Sequence, residues 1–256
     1  MSLVGTYEAL KFELSGRSAF FKKPDANAYA YFTYNNIHKI ALLGLLGAVL
    51  GYGGYTRQND GLQRKEKQAY PEFYSRLEAL KVCIIPNAEC GYFSKKIQQF
   101  NNSAGYASQE QGGNLIVREQ WLEDPSWTVY ILNSGDMTEE FCKISDSLLN
   151  GRCMYVPYLG KNDHPAVIEK CEIVKLEQAQ CEYFSCLFPE GIAERGNETF
   201  DGADRGYIFK EFLPCKMNSE LNFYEQAEFV FTNYMFKDSV ETDLTFAHGD
   251  DRLIFY

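Results

Sequence analysis

The stretch that decides the fold is Phe12–Tyr55, FELSGRSAFFKKPDANAYAYFTYNNIHKIALLGLLGAVLGYGGY. Starting just before it, Ala9–Leu14 sets Leu10, Phe12 and Leu14 against Lys11 and Glu13, a period of two that predicts a half-buried strand ended by Gly16. From Arg17 to Asn36 the chain interleaves Arg17, Lys22 and Lys23 with Phe20, Phe21, Tyr29, Tyr31, Phe32 and Tyr34, while Pro24 and Asp25 supply turn chemistry. Cations neutralise phosphates and flat rings stack on unpaired bases at about 1–3 kcal/mol each, so this loop has the composition of a single-stranded nucleic-acid surface. The competing expectation is that these rings bury their area in the core. A helix follows, with Asn35 or Asn36 as the expected N-cap, and Ile40, Leu42, Leu43, Leu45, Leu46, Val49 and Leu50 make it apolar all round, hence buried. Gly44, Gly47 and Gly51 share one stripe of that helix, where another backbone can approach closely. Each glycine forgoes roughly 0.8–1 kcal/mol of helix propensity, so their repetition predicts tight packing. The run Ile40–Leu50 is far shorter than the roughly 20 apolar residues that span a bilayer. Gly51, Gly53 and Gly54 end the helix and open a basic exit through Arg57.

Outward from this block, Gln58–Gln68 is a polar, basic connector, Pro71 takes the first position of an amphipathic helix over Glu72–Lys81, and Val82–Pro86 is a short buried strand. Strand, helix, helix and strand in this order predict an α+β architecture. Residues Asn101–Asn114, NNSAGYASQEQGGN, form a polar, glycine-rich loop flanked by Lys95, Lys96 and Arg118. Trp127–Leu132 is a strand and Thr138–Leu149 a helix, with Thr138 as expected N-cap and Gly151 just beyond the end. Tyr158–Pro165 is a turn-rich loop carrying Lys161 and His164. Ala166–Leu176 and Ala227–Phe236 have strand patterns and Gly191–Gly206 is loop-like, so the C-terminal part is expected to be β-rich. We divide the chain into residues 1–155 and 156–256.

With 256 residues the chain has ample core for one large or two small domains. Eight cysteines without CxxC pairs or a signal peptide point to reduced thiols and a cytoplasmic protein. Cys181 and Cys186 have no second pair or suitably spaced histidine to complete a zinc site, and no cofactor or metal is expected. The net charge of −10 argues against binding a polyanion, but it is unevenly spread: residues 1–120 carry a balance of +4 and residues 121–256 one of −14. No GxSxG elbow, HExxH pair or P-loop occurs. For metal-independent RNA cleavage the chain offers His38, His164 and His248, of which His38, beside Lys39 at the helix start, is the candidate base or phosphate contact.

The block FELSGRSAFFKKP, its tyrosine-containing sequel and the helix ALLGLLGAVLGYGG resemble the start of the CRISPR-associated Cas-five family of the RAMP superfamily. The segments REQWLEDPSWTVYI (Arg118–Ile131) and YLGKNDHPA (Tyr158–Ala166) are similar to it as well, so the resemblance covers about the first two thirds of the chain. It implies a ferredoxin-like, RRM-related N-terminal domain, a protruding thumb-like hairpin near residues 95–120, and a smaller β-rich C-terminal part. It further implies a non-catalytic subunit of a type I Cascade, most like type I-B, that holds and caps the 5′ handle of the crRNA. Such a subunit contacts the large subunit and the adjacent backbone subunit, meets target DNA only through the complex, and touches no membrane. One branch of the family cleaves precursor RNA, so an endoribonuclease stays open as an alternative, as does a purely protein-bridging scaffold. The expected RNA contacts are Arg17, Lys22, Lys23, Tyr31 and Tyr34 in the loop, and His38 and Lys39 at the helix start. Tyr52, Gly53 and Arg57 at its exit and Lys95, Lys96 and Arg118 beside the thumb complete the set, with no catalytic residue among them.

Overall fold

The computed structural model describes residues 7–25, 29–65, 69–101, 109 and 115–256 of the chain. Its centre is a six-stranded sheet in which β1 (Tyr7–Ser15) lies between β6 (Ser126–Leu132) and β7 (Val167–Gln178). β3 (Lys81–Pro86) pairs with the outer side of β6, while β13 (Thr245–His248) and β14 (Asp251–Ile254) extend the sheet beyond β7. The order is β14-β13-β7-β1-β6-β3, and every neighbouring pair is antiparallel. Helices α1 (Lys39–Leu50), α2 (Tyr55–Gln63) and α3 (Glu72–Leu77) lie in the chain between β1 and β3, and α4 (Thr138–Leu149) between β6 and β7.

Alternation across the strands divides the core in two. Leu10, Phe12 and Leu14 of β1, Val82 and Ile84 of β3, and Trp127, Val129 and Ile131 of β6 face the helices and pack with the leucines of α1. Ala9, Cys83, Tyr130 and Leu132 face the other way, onto Phe184, Phe188, Phe236, Phe246 and Phe255. Because both faces are covered, α1 and the central strands are buried as their apolar composition requires.

The C-terminal residues are not separated from this core. β7 and β13 are strands of the central sheet, and Leu213, Met217, Phe229 and Phe231 pack into the helix-side core. Those four come from β10 (Ile208–Met217) and β11 (Tyr224–Thr232), which form a three-stranded sheet with β8 (Phe188–Pro189). No break in packing marks the expected boundary at 155/156. A third sheet joins β2 (Ser18–Ala19), β5 (Ile116–Glu123) and β4 (Lys95–Asn101). β4 and β5 are antiparallel, from Lys95 opposite Leu122 to Asn101 opposite Ile116. Except for Asn101 and Gln109, the polar loop over residues 101–114 falls outside the described residues.

Several local expectations are corrected. The N-cap of α1 is His38, whose Nδ1 accepts the Ala41 N–H at 3.2 Å. Asn35 and Asn36 do not cap it, because their side-chain oxygens accept instead from Phe93 N–H and Trp127 Nε1–H, while their amide groups donate to the Gly91 carbonyl. Gln58–Gln63 is not a connector but belongs to α2, and Gly191–Gly206 includes β9 (Arg195–Thr199), which pairs with β12 (Tyr234–Phe236). α3 stops at Leu77, with Pro71 as its N-cap, and Met137 rather than Thr138 caps α4. The glycine stripe of α1 does bring a second helix close: a Cβ on Gly47 would lie 2.5 Å from Phe73 Cβ of α3. Gly51 adopts φ +82° and ends the helix. No single helix among the described residues is long and apolar enough to cross a membrane; α1 and α2 pass that test only as a pair bent by 79°, and α1 is core.

Candidate nucleic-acid interface

The aromatic loop is held in place by backbone pairing. Lys22 and Thr33 form an antiparallel bridge, the Tyr34 N–H bonds the Phe21 carbonyl, and the Lys23 N–H bonds the Phe32 carbonyl. The returning strand of the loop then lies along β5: Tyr31 N–H donates to Arg118 O and Gln120 N–H donates to Tyr31 O, each at 2.8 Å. This docking seats one loop cation and one hairpin cation on two rings of the loop. Lys22 Nζ sits 4.0 Å from the Tyr31 ring centroid and the Arg118 guanidinium 4.8 Å from that of Tyr29. Such contacts hold a cation over a ring without neutralising it, so its charge stays available to a phosphate.

Side-chain parity then sorts the hairpin. Lys95, Gln99 and Arg118 share one face, where Arg118 Nε donates to Gln99 Oε1 at 2.8 Å. Lys96, Phe100, Glu119 and Trp121 share the other, so the adjacent lysines 95 and 96 point to opposite sides. The two faces differ in charge balance. On the second, Lys96 pairs with Glu123, and the Lys161 ammonium, above the Phe100 ring, bonds both oxygens of the buried Glu119 and also Asp163. Although burial works against it, bonding to Glu119 and Asp163 holds the Lys161 ammonium above its ordinary pKa. Trp121 Nε1 donates to Glu119, His164 meets the Trp121 ring edge-on, and Ser18 Oγ lies 2.7 Å from His164 Nδ1. This face is neutralised and internally bonded; it is the seat of the YLGKNDHP loop rather than a cationic surface.

On the first face, Lys23 and Lys95 line a cavity of about 560 Å³ between the loop, the hairpin and β10, with Asp25, Tyr34, Phe212 and Gln226 among its other walls. Its base is the Glu211 carboxylate, which accepts from Asn35 N–H at 2.9 and 3.0 Å and Asn36 N–H at 3.2 Å and pairs with Lys23 at 3.4 Å. Burial raises the Glu211 pKa, with the two backbone donors and Lys23 and Lys95 pulling it back. Burial likewise lowers the Lys95 pKa, against the pull of Glu211 and with a smaller push from the Lys23 charge. Lys23, Lys95 and Lys210 stand against Asp25, Glu211 and Glu228 in the lining, so the recess is balanced in formal charge.

The remaining sequence-expected residues lie elsewhere. Arg17 is exposed at the turn before β2, its carbonyl accepting the Asp124 N–H beside the hairpin base. Tyr34 is 2 % exposed, its hydroxyl accepting from Gln226 Nε2 and burial raising its pKa to about 12. His38 is buried beneath Phe21, Tyr34 and Tyr224, and burial lowers its pKa to about 3. The expectation that these two contact RNA is therefore corrected: their polar atoms are spent on the core. Lys39 turns toward the Tyr256 carbonyl, 3.1 Å away, and burial, aided by Lys81, lowers its pKa to about 8. Tyr52, Gly53 and Arg57 are at the opposite end of α1, a helix of 12 residues and so about 18 Å long. There Tyr52 donates to Glu140, while Gly53 N–H and Arg57 both engage the Glu72 carboxylate. One continuous surface from Arg17 to Arg57 does not exist; Lys22 meets Tyr31, Arg118 meets Tyr29, and Lys23 and Lys95 line one recess.

Sequence reasoning missed Tyr29, Tyr92 and Phe212 as surface rings. They are 69 %, 54 % and 59 % exposed, and Lys95 Nζ lies 4.8 Å from the Tyr92 centroid. For Tyr29 the signal was its place in the aromatic loop. For Phe212, brought to the site by β10, the local sequence carried none. Among the described residues no group of acidic, histidine and cysteine side chains is arranged to hold a metal ion.

No protein-family model and no curated protein matches the sequence. Among solved structures, the chain is similar to one in a CRISPR RNA-guided surveillance complex, at 13 % identity over 90 % of this chain and 91 % of that one, with a TM-score of 0.50. A CRISPR protein from Archaeoglobus fulgidus aligns at 9 % identity over 96 % of this chain and 98 % of that one, with a TM-score of 0.49. The first of these likenesses, at so low an identity, is one of fold: a mixed α/β chain whose described residues are mostly strands with four α-helices.

Proposed function

We propose that this protein is a non-catalytic subunit of a type I CRISPR Cascade, most like type I-B members, that holds and caps the 5′ handle of the crRNA. It contacts the large subunit and the adjacent backbone subunit, and meets target DNA only through the complex. The observation that carries the reading is the seating of cations on rings of the loop docked along β5, Lys22 over Tyr31 and Arg118 over Tyr29, together with the recess that Lys23 and Lys95 line between loop, hairpin and β10. Cations that track a backbone, set among rings that stack on splayed bases, are the chemistry of single-stranded RNA recognition. The fold shared with a chain of an RNA-guided surveillance complex supports it. So does the order β1-α1-β3-β6-α4-β7 with strands arranged β7-β1-β6-β3, the pattern of a ferredoxin-like, RRM-related domain, and the β4–β5 hairpin supports the thumb. The buried, unprotonated His38 is a helix cap without access to a ribose hydroxyl, which favours a binding role over cleavage.

The test is incubation of the purified protein with repeat-derived RNA in EDTA, followed by electrophoretic mobility and denaturing gels. A retarded, intact RNA is expected, with affinity reduced at least tenfold in a Lys22/Lys95/Arg118→Ala variant. Specific cleavage in EDTA, or unchanged affinity in that variant, refutes the reading. The purely protein-bridging alternative is favoured by one feature: Leu149, Met154, Tyr155, Val156 and Tyr158 are all more than 40 % exposed within ten residues. It predicts capture of the large subunit by a protein that binds no handle RNA.

A further inference from the structure

Phe212 is an outlier in its strand. Its neighbours Leu213 and Pro214 are buried, yet its ring is 59 % exposed and lines the 560 Å³ cavity shared with Lys23 and Lys95. That volume is within the range of ligand pockets, roughly 300–1,000 Å³. The wall is rigid. Glu211, next to Phe212, is bonded to two backbone N–H groups and to Lys23, and the Asn35 side chain bonds both Gly91 O and Phe93 N–H. Glu228 stands directly across from Phe212 in the β10–β11 pairing and also lines the cavity. A flat ring, three ammonium groups and three carboxylates therefore line one preformed recess, with Lys210 Nζ 3.9 Å from Glu228.

We infer that this recess is a nucleobase pocket that selects bases carrying an exocyclic amino group, with Phe212 as the stacking platform and Glu228 as the acceptor that reads the amino group. Lys23 and Lys95 hold the phosphate of the same nucleotide. The inference rests on the RNA-binding reading above and adds to it a site on the C-terminal β10–β11 pair. Adenine and cytosine each present an amino donor on the Watson–Crick edge, and a carboxylate accepts it. Uracil presents no amino group there: its one donor, N3–H, is flanked by two carbonyl oxygens, which a carboxylate repels. Stacking a base on a side-chain ring is worth about 1–3 kcal/mol, so loss of the ring is expected to weaken binding about tenfold or more.

The test measures fluorescence anisotropy of the full chain with labelled oligo(A), oligo(C) and oligo(U) of equal length. Wild-type protein is expected to prefer oligo(A) and oligo(C) over oligo(U) by about tenfold, in line with the 1–3 kcal/mol carried by a base-edge contact. Phe212→Ala should weaken oligo(A) and oligo(C) about tenfold, and Phe212→Tyr should restore them. Glu228→Gln, which offers both a donor and an acceptor, should abolish the preference while retaining affinity. Wild-type binding with no preference, or Phe212→Ala binding indistinguishable from wild type with an unchanged melting temperature, overturns the pocket and leaves the RNA-binding reading standing. Absence of binding to any oligomer overturns both.

Discussion

Gly47→Ala and Gly44→Ala should change stability in opposite directions. Both sites are in the interior of α1, and each substitution gains about 0.8–1 kcal/mol of helix propensity. The surroundings differ. A Cβ at Gly44 would meet only the Phe73 ring, at an ordinary 3.8 Å, whereas a Cβ at Gly47 would fall 2.5 Å from Phe73 Cβ, 3.4 Å from its Cγ and 3.6 Å from its Cα. Carbon atoms pack best at about 3.5–4.0 Å, so α3 must retreat by about 1 Å, and these atoms, next to the backbone, have no rotamer escape. Overpacking of this kind costs about 1–3 kcal/mol. Because the propensity gain is common to both variants, their difference isolates that cost: Gly44→Ala is expected to be stabilised by up to about 1 kcal/mol, and Gly47→Ala to fall below it by about 1–3 kcal/mol. For a chain of this size each kcal/mol moves the melting temperature by about 2–4 °C. Urea unfolding and thermal melts of the two variants, read side by side, give the difference directly. Equal stability of the two would refute the claim that Gly47 sets the α1–α3 distance.

Three further outcomes follow from the same structure. Lys95→Ala should reduce the slope of log affinity against log salt for single-stranded RNA by about 0.7, while Lys96→Ala, on the opposite face and paired with Glu123, should leave it unchanged; equal effects in a salt titration would remove the facial assignment. Folded His38 has its pKa lowered from 6.5 to about 3, so between those values the unfolded chain binds a proton that the folded one refuses: stability is full above pH 6.5 and is lost as pH falls toward 3. His38→Asn keeps an acceptor for the Ala41 N–H and should flatten that acid limb, by at most about 4–5 kcal/mol at 1.36 kcal/mol per unit; an unaltered pH profile in urea melts would count against it. Glu211→Ala strips two backbone donors and Lys23 of their acceptor and should destabilise the fold by about 2–4 kcal/mol, whereas a loss under 0.5 kcal/mol in the same assay would show that the carboxylate does not anchor the loop.

Elements whose pattern repeats over a few residues were legible. The alternation of Ala9–Leu14 is the centre of β1, the apolar run of Ile40–Leu50 is the buried α1, and Trp127–Leu132 is nearly all of β6. Helix boundaries were less so, because capping is decided by who else bonds the candidate. Asn35 and Asn36 have the right side chains for an N-cap, and Phe93 N–H and Trp127 Nε1–H, 58 and 91 positions away, take their oxygens instead. In the site, composition found the loop cations and rings but counted as one surface what the length of α1 keeps at separate ends.

The sequence by itself determined which side chains alternate, where the buried helix runs, and that cations and rings share the loop from Arg17 to Tyr34, because these depend on spacing of a few residues. Only the tertiary structure decided which of them meet. It laid Tyr31 along β5, buried Tyr34 and His38, turned Lys95 and Lys96 apart, and set Phe212 of β10 beside Lys23. Each of those outcomes depends on a contact between segments far apart in the chain, whose partners no local period encodes.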